Sequence, residues 1–163
     1  MTINFYTTKG PYGCFSNFYR ASFKDFVGRE WMTSEHFYQA QKASDSDWAI
    51  KIMQAPTPKE AARLGRSINI RADWERVRVP VMLEALYYKF DQHPDLKEIL
   101  LSTGDEELVE CTVGTPRNDP VWGNGKEGEG QNLLGKLLMV VRSDYNCRRS
   151  LIMSKRILAF KYL

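Results

Sequence analysis

The sequence is short of the residues that usually hold a metal ion or form disulfides. It contains two histidines, His36 and His93, and three cysteines, Cys14, Cys111 and Cys147, among 163 residues. No pair of them stands at zinc-ligand spacing, so a structural zinc site is not expected. An odd number of widely spaced cysteines without a secretory leader indicates reduced thiols. We therefore expect a cytoplasmic protein that uses neither a metal nor a cofactor.

Long apolar runs, repeats and low-complexity segments are also absent. The N-terminal stretch MTINFYTTKGPYG lacks the apolar core of a signal peptide, and no segment has the length needed to cross a bilayer. With 163 residues, 43% of them hydrophobic and 26% charged, the composition is typical of one globular domain with a sizeable core. A membrane partner is not expected.

Positive charge is concentrated at the C-terminus. The net charge is +3, but residues 142–163 contain six basic side chains and one acidic side chain, so the remainder is slightly acidic. An acidic body argues against a general nucleic-acid-binding domain. The tail also contains enough apolar residues to pack. We predict a domain over residues 1–142 and a basic C-terminal extension over residues 143–163 that packs on it.

Capping and turn signals predict a few short strands and several helices. INFY near the N-terminus and LVECTV further on favour strands, and Val27-Gly28-Arg29 is typical of a hairpin corner. Predicted helices begin at Thr33 or Ser34, at Asp45 or Ser46, at Thr57, near Pro80, at Pro94 and near Asn132. We therefore expect an α+β fold: a mostly helical single domain with a few short strands near the N-terminus.

The stretch DPVWGNGKEGEGQNLLGKLL, residues 119–138, matches two nucleotide-binding patterns. Residues 123–128 spell G-x-G-x-x-G, and residues 130–136 spell G-x-x-x-x-G-K. A phosphate loop requires serine or threonine after its lysine, but Leu137 stands there. A dinucleotide fingerprint requires a strand that leads into its first glycine, but Pro120 precedes it. Both patterns are therefore disfavoured.

A different ligand-binding loop remains a candidate for this stretch. Gly123 and Gly125 allow the backbone to approach a ligand closely, and the helix that begins near Asn132 favours anions at its N-terminus. Trp122 offers a stacking surface beside the Asp119 carboxylate. The alternative is a flexible surface loop without a function.

A second candidate site follows one helix face. Glu35, Tyr38, Gln39 and Lys42 stand at i, i+3, i+4 and i+7. Two turns separate Glu35 from Lys42 by about 10 Å along the axis, so both can reach one small ligand. The alternative is an exposed polar face. His36 is equally compatible with a packed and a catalytic histidine.

Five groups of residues carry a family resemblance. In chain order they are Phe15–Phe18, Thr33–Phe37 with Gln39 and Lys42, Met82–Phe90, Trp122–Gly125, and Gly130–Met139 with Arg142. Together they resemble the NADAR, or YbiA-like, family of N-glycosidases, and the match extends from about Ile3 to Arg142. The resemblance implies hydrolysis of the C1–N bond of a ribose-phosphate or ADP-ribose conjugate. Known branches act on phosphoribosylamino intermediates of riboflavin synthesis or remove ADP-ribose from modified guanine.

The resemblance and the residue chemistry suggest catalytic roles for three residues. Cleavage of a C1–N bond passes through an oxocarbenium-like sugar and requires a carboxylate and help for the leaving nitrogen. Glu35 is assigned the acid–base role. Lys42 either binds phosphate as a point charge or forms an imine with the opened sugar. Asp119 binds ribose hydroxyls or stabilises the cationic transition state.

The predicted substrate contacts come from both candidate sites. Trp122 stacks on the base or sugar, and the glycine loop with the amides near Asn132 receives phosphate. The full predicted binding set is Ser16, Asn17, Gln39, Trp122, Gly123, Gly125 and Asn132. The expected partner is a small ribose-phosphate or ADP-ribose compound, with ADP-ribosylated nucleic acid as a further candidate.

Two other functional classes are open at this stage. The first is a non-catalytic module that binds ADP-ribose or a related nucleotide, which the presence of both Glu35 and Lys42 disfavours. The second is a structural protein that contacts its partner through the basic tail. The sequence does not indicate an oligomeric state.

Overall fold

A computed structural model describes the backbone of residues 1–161 and the side chains of residues 1–148. The elements in chain order are β1 (Thr2–Phe5), a 3₁₀ turn (Gly13–Phe15), β2 (Phe23–Lys24), β3 (Glu30–Trp31), α1 (Ser34–Gln41), α2 (Ser46–Met53), α3 (Pro58–Leu64), α4 (Trp74–Gln92), α5 (Pro94–Ser102), β4 (Glu107–Glu110) and α6 (Leu133–Lys161). The chain forms two compact units, one of residues 5–97 and one of residues 1–4 with residues 98 onward.

The predicted α+β, mostly helical fold class is confirmed. Three of the four strands in the described residues lie before Ser34, as expected, and β4 overlaps the predicted LVECTV strand. β2 and β3 form an antiparallel hairpin that pairs Phe23 with Trp31. Gly28 has φ +85° at its corner, a conformation that favours glycine. Among the described residues, no helix combines the length and apolar character needed to cross a membrane.

The predicted N-terminal caps of the first three helices are confirmed. The side chains of Thr33, Asp45 and Thr57 accept hydrogen bonds from backbone amides in the first turns of α1, α2 and α3. Each cap accepts a hydrogen bond from an amide that has no partner within its helix. Loss of such a cap lowers the stability by about 1 kcal/mol. These local signals therefore determine where α1 begins and where its first-turn Glu35 points.

The predicted start of α4 near Pro80 is wrong, because the helix begins at Trp74 and contains Pro80 in its interior. Proline is favoured in a first turn, but a tertiary contact overrides that preference. Trp74 is buried, and its ring lies 4.9 Å from that of Tyr38 in α1. An ion pair between Arg78 and Glu75 links the first two turns of the helix. The predicted end at His93 is confirmed.

The last helix is longer than predicted. We expected a helix from about Asn132 to Arg142, whereas α6 extends from Leu133 to Lys161. Tyr145 is buried beyond the predicted end, and Asp144 pairs with Arg148 one turn later at 2.8 Å. The predicted packing of the basic extension depends on side chains from residue 149 onward, which lie outside the described residues.

α1 is the central element of the 5–97 unit. It packs against α2, α3 and α4. Its residue Phe37 is buried in the hydrophobic core. The Phe37 ring lies 5.2 Å from that of Trp31 and 5.8 Å from that of Tyr88. Because the helix is enclosed on several sides, even its polar residues are removed from water.

In the other unit, α6 packs on β4, which pairs with β1. The predicted apolar stripe of α6 is buried at Leu134, Leu137, Leu138 and Val141. Asn132 immediately precedes the helix with φ +50°. Its side-chain amide donates to the Leu108 carbonyl at 2.8 Å and accepts from the Glu110 amide at 3.0 Å. Asn132 thus completes the hydrogen bonding of β4.

Candidate functional site

The polar face of α1 is buried rather than exposed. Glu35 is only 1% exposed and Tyr38 7% exposed, although the sequence also allowed a solvated face. The Glu35 backbone amide donates to the Asn17 carbonyl at 3.1 Å. A carboxylate so far from water is costly unless neighbouring groups bind it, so its immediate partners are informative.

A hydrogen bond joins Gln39 to Glu35, and Gln39 and Lys42 both contact Gly65. Gln39 Nε2 donates to Glu35 Oε1 at 2.9 Å. Lys42 Nζ donates to the Gly65 carbonyl at 2.7 Å. Gly65 also lies against the Gln39 side chain, since a Cβ placed on it would be 2.0 Å from Gln39 Oε1. Gly65, which caps α3, therefore contacts both Gln39 in α1 and Lys42, which caps α1.

Lys42 has the electrostatic environment of an activated amine. It is half-buried, and this burial lowers its pKa, while the nearby Glu35 carboxylate opposes that shift. A lowered pKa increases the fraction of neutral, nucleophilic amine near neutral pH. The same residue, when protonated, remains able to bind an anion.

Ser16 and Asn17 lie in the segment that contacts the first turn of α1. Both are buried. Asn17 Oδ1 has no hydrogen-bond partner among the described residues, and neither does Ser34 Oγ next to Glu35. Buried polar atoms in native structures nearly always have partners, so unpaired atoms beside a buried carboxylate are typical of a site that binds a polar ligand.

Lys89 is a buried charged residue that the sequence reasoning missed. It is 0% exposed, and its ammonium donates to the Cys14 carbonyl and to the Ser16 carbonyl, the latter at 3.1 Å. Burial lowers its pKa from 10.5 to about 8. The sequence did contain one indication of this burial: Lys89 stands three residues after Leu86, on the apolar stripe of α4. Lys89 holds the chain segment that leads into Asn17.

His36 has a structural role at the start of α1. It is 0% exposed, with Nε2 3.0 Å from the Ala55 carbonyl and Nδ1 2.8 Å from Thr33 Oγ1. Because a carbonyl only accepts, the proton lies on Nε2, and Nδ1 accepts from threonine. Burial lowers the His36 pKa, which favours this neutral form.

Asp119 organises the turn that leads into the glycine-rich stretch. Its Oδ1 accepts from the backbone amides of Val121 and Trp122, both at 2.9 Å. Its Oδ2 lies 3.8 Å from Arg117 Nε. This side chain therefore has a structural function in the turn, and its predicted catalytic role stays a prediction.

The backbone amides at the start of α6 have partners within the chain, and their predicted contact with phosphate stays a prediction. The consecutive amides of residues 130–134 donate to the carbonyls of residues 124, 120, 123, 121 and 122, respectively. A helix N-terminus attracts anions through unpaired amides, and here the preceding loop occupies them. The backbone of residues 130–134 is thus bound to the loop that precedes α6.

The glycines in this stretch allow close packing within the chain. A Cβ on Gly123 would lie 2.9 Å from the Glu110 carbonyl oxygen and 2.5 Å from a Thr112 carbon. A Cβ on Gly130 would lie 2.6 Å from the Gly123 carbonyl oxygen. Gly125 has φ +71° and donates to the Asp119 carbonyl at 3.0 Å. Their predicted contacts with substrate stay predictions.

A polar cleft of about 370 Å³ borders this loop. Asn132 and Lys136 line it together with the backbone of Gly128 and Gly130. Trp122 is buried at 8% exposure, so its indole belongs mainly to the packed part of the loop.

The structure thus brings the predicted site residues together in two groups. Ser16, Asn17, Glu35, Gln39 and Lys42 lie in the 5–97 unit, and Asp119, Trp122, Gly123, Gly125 and Asn132 lie in the other unit. The meeting of the two groups around one substrate stays a prediction. No cluster of His, Cys, Asp or Glu suited to a metal ion occurs within the described part of the chain.

Comparison with known proteins finds relatives of similar sequence and similar fold. The sequence profile of the NADAR domain matches residues 4–146. N-glycosidase YbiA of Escherichia coli is 46% identical over 142 residues, which are 86% of each chain. The NMR structure of YbiA superposes with a TM-score of 0.81 at 43% identity, covering 91% of this chain and 86% of YbiA.

A longer plant protein contains a related segment. The chloroplastic riboflavin biosynthesis protein PYRR of Zea mays is 41% identical over 160 residues, which cover 87% of this chain and 25% of PYRR. The match to the domain profile covers most of this chain, and the bacterial identity is high along nearly the same length. The chain therefore belongs to the NADAR domain family.

Proposed function

We propose that this N-glycosidase hydrolyses the C1–N bond between a ribose 5-phosphate and an aminopyrimidine. Family membership and the 46% identity to an N-glycosidase support the general activity, hydrolysis of N-glycosyl compounds. The aminopyrimidine class is supported by the relative named for riboflavin biosynthesis. ADP-ribosylated guanine is the competing substrate class.

The observation that carries the proposal is the pair of Glu35 and Lys42 on one helix. Glu35 is almost fully buried and hydrogen-bonded to Gln39, and Lys42 has a pKa lowered by burial. An N-glycosidase needs a group that transfers protons and a group that stabilises or attacks C1. A non-catalytic binding module has no need of a desolvated amine beside a buried carboxylate.

In the proposed mechanism, Lys42 acts as the nucleophile at C1. Its neutral amine attacks C1 of the sugar, and the bond to the base nitrogen breaks. The sugar ring then opens: the C1–O4 bond breaks, the second proton of Nζ passes to O4, and an imine remains between C1 and Nζ. Glu35 carries the proton from Lys42 to the departing nitrogen, so the base leaves as a neutral amine. Water then hydrolyses the imine, which releases the ribose phosphate and restores the free lysine.

Ser16, Asn17 and Ser34 bind the sugar in this proposal. The unpaired Asn17 Oδ1 accepts from a hydroxyl, and the unpaired Ser34 hydroxyl donates or accepts. Both atoms flank the backbone around Glu35, since the Asn17 carbonyl binds the Glu35 amide. These contacts orient C1 relative to Glu35 and Lys42, which is how bound groups gain rate through proximity.

The proposed function is tested by a mass-spectrometric screen with the purified protein. The probes are ribose 5-phosphate conjugates of aminopyrimidines and ADP-ribosylated guanosine. We expect release of the aminopyrimidine together with ribose 5-phosphate. Exclusive cleavage of the guanosine conjugate would replace the substrate class, and tight binding of either probe without cleavage by the protein would contradict the enzymatic proposal.

A further inference from the structure

We propose that Gly65 is a positioning residue for the reaction, because the missing side chain at this position leaves the space in which Gln39 holds the Glu35 carboxylate. The inference rests on the proposed function, since it derives its importance from Glu35 and Lys42. Gly65 itself contacts neither the sugar nor the base in this proposal.

Backbone conformation does not require glycine at this position. Gly65 caps the C-terminus of α3 with φ −61° and ψ −13°, in the ordinary right-handed helical region. Its amide donates to the Ala61 carbonyl, as that of any residue would. Alanine is favourable in this conformation, both in the helix and through the lower entropy of its unfolded state. The reason for glycine therefore lies in the surrounding space.

That space is occupied by one side chain. The three atoms nearest to a Cβ on Gly65 all belong to Gln39: Oε1 at 2.0 Å, Cδ at 2.7 Å and Cβ at 3.1 Å. A methyl group there and the present position of the Gln39 carboxamide exclude each other. Rotation about the Gln39 side-chain bonds can move Oε1 and Cδ away, and the 3.1 Å contact with Cβ then requires a shift of only a few tenths of an ångström between α1 and α3.

Movement of Gln39 has a direct consequence for Glu35. The 2.9 Å bond from Gln39 Nε2 to Glu35 Oε1 would break. Glu35 is 1% exposed, so water does not readily replace the lost donor. A hydrogen bond to a buried charged group is among the strong ones. Alanine at position 65 thus disturbs the carboxylate while leaving the packing of α1 and α3 largely intact.

The carbonyl of Gly65 adds a second link to the reacting groups. It accepts from Lys42 Nζ at 2.7 Å. One residue therefore contacts both the carboxamide that binds Glu35 and the amine that attacks C1. Other tightly packed glycines differ in this respect: a Cβ on Gly13, Gly130 or Gly135 would meet backbone atoms, so substitution there affects the fold itself.

The test is a double-mutant cycle of Gly65→Ala and Gln39→Ala, with Gln41→Ala as a control on the same helix. Turnover of the conjugate cleaved by wild type is measured together with the midpoint of thermal unfolding. We expect Gly65→Ala to lower kcat about tenfold or more, since small misplacements of reacting groups have effects of this size. The unfolding midpoint of Gly65→Ala should fall no further than that of Gln39→Ala, which loses the same hydrogen bond, and Gln41→Ala should behave like wild type.

The decisive comparison is the double variant. If Gly65 acts through Gln39, Gly65→Ala lowers kcat in the wild-type background and has little further effect once Gln39 is alanine. A full additional loss of kcat in the Gln39→Ala background would overturn the inference, as would a fall in unfolding midpoint larger than that of Gln39→Ala. Wild-type kcat in Gly65→Ala, with Glu35→Gln inactive, would overturn the inference alone, whereas no turnover by the wild-type protein would overturn the proposed function as well.

Discussion

Glu35 and Lys89 are almost fully removed from water in the 5–97 unit. Burial of a charge is expensive unless hydrogen bonds compensate it. Gln39 binds the carboxylate of Glu35, and the carbonyls of Cys14 and Ser16 bind the ammonium of Lys89. The sequence indicated Glu35 as a candidate site residue, because it follows the Thr33 cap in the first turn of a predicted helix. The burial of Lys89 could not be predicted, because a lysine on a helix is usually solvated. The sequence also does not show which carbonyls its ammonium binds.

The burial of Lys89 predicts a specific pH dependence of stability. Its pKa is about 8 in the folded protein, below the ordinary 10.5. Between these values the unfolded chain holds the extra proton, so the free energy of unfolding rises with pH as the penalty for the buried charge disappears. Between pH 8 and 10.5, the free energy of unfolding of the wild type should rise by about 3 kcal/mol relative to that of Lys89→Met.

Urea unfolding of both proteins across this window measures the difference. Lys89 lowers the pKa of the buried Cys14 thiol, so both proteins should also carry Cys14→Ala, and subtraction then isolates Lys89. A constant difference between wild type and Lys89→Met over the whole window would show that Lys89 titrates as in the unfolded chain.

Lys42 predicts a second pH effect, on catalysis. Since burial lowers its pKa, kcat/KM should rise as the pH increases through that pKa, because only the neutral amine attacks C1. If Lys42 instead bound phosphate as a cation, KM would increase over the same range. Borohydride added during turnover should reduce the imine and leave a sugar phosphate on Lys42, detectable by peptide mass spectrometry.

Lys42→Arg is the matched control, because it retains the positive charge but forms no imine. We expect it to bind substrate and to yield neither product nor adduct. Wild-type kcat in Lys42→Arg would assign Lys42 to phosphate binding.

At the scale of elements, the segment of residues 119–135 shows what local patterns predict and what they do not. The stripe of leucines predicted α6 and its buried face correctly. The spacing of the glycines suggested a loop open to phosphate. Spacing alone, however, does not show which carbonyl each backbone amide binds. The structure pairs the amides of residues 130–134 within the loop, so the glycines serve close packing of α6 on β4.

Gly135 provides the test of this packing role. A Cβ there would lie 2.0 Å from the Leu108 carbonyl oxygen, and rigid backbone does not move aside. Gly135→Ala should therefore reduce the free energy of unfolding by about 3 kcal/mol. Gly128→Ala is the control, since Gly128 has open space but φ +92°, and it should lose about 1 kcal/mol.

Urea unfolding of both variants provides the measurement. Equal losses in the two variants would mean that backbone conformation, rather than contact with β4, explains the glycines of this region.

At the scale of the molecule, the fold class followed from local signals more readily than the site did. Caps at Thr33, Asp45 and Thr57 and the turn at Gly28 lie close to the elements they delimit. α4 and α6 departed from prediction where tertiary contacts extended them, at Trp74 and Tyr145. The grouping of Glu35, Gln39 and Lys42 followed from helical periodicity, whereas the participation of Gly65 became evident only from the three-dimensional structure.

Cleavage at C1 that requires Glu35 is the central claim about the whole molecule. The most direct measurement is single-turnover mass spectrometry of a ribose 5-phosphate aminopyrimidine conjugate with wild type, Glu35→Gln and the control Gln41→Ala. We predict release of the free base by wild type and by Gln41→Ala, and a loss of about 100-fold or more in rate for Glu35→Gln, the range of general acid–base catalysis. Release of base by Glu35→Gln at the wild-type rate would contradict the assignment of Glu35 and the mechanism built on it.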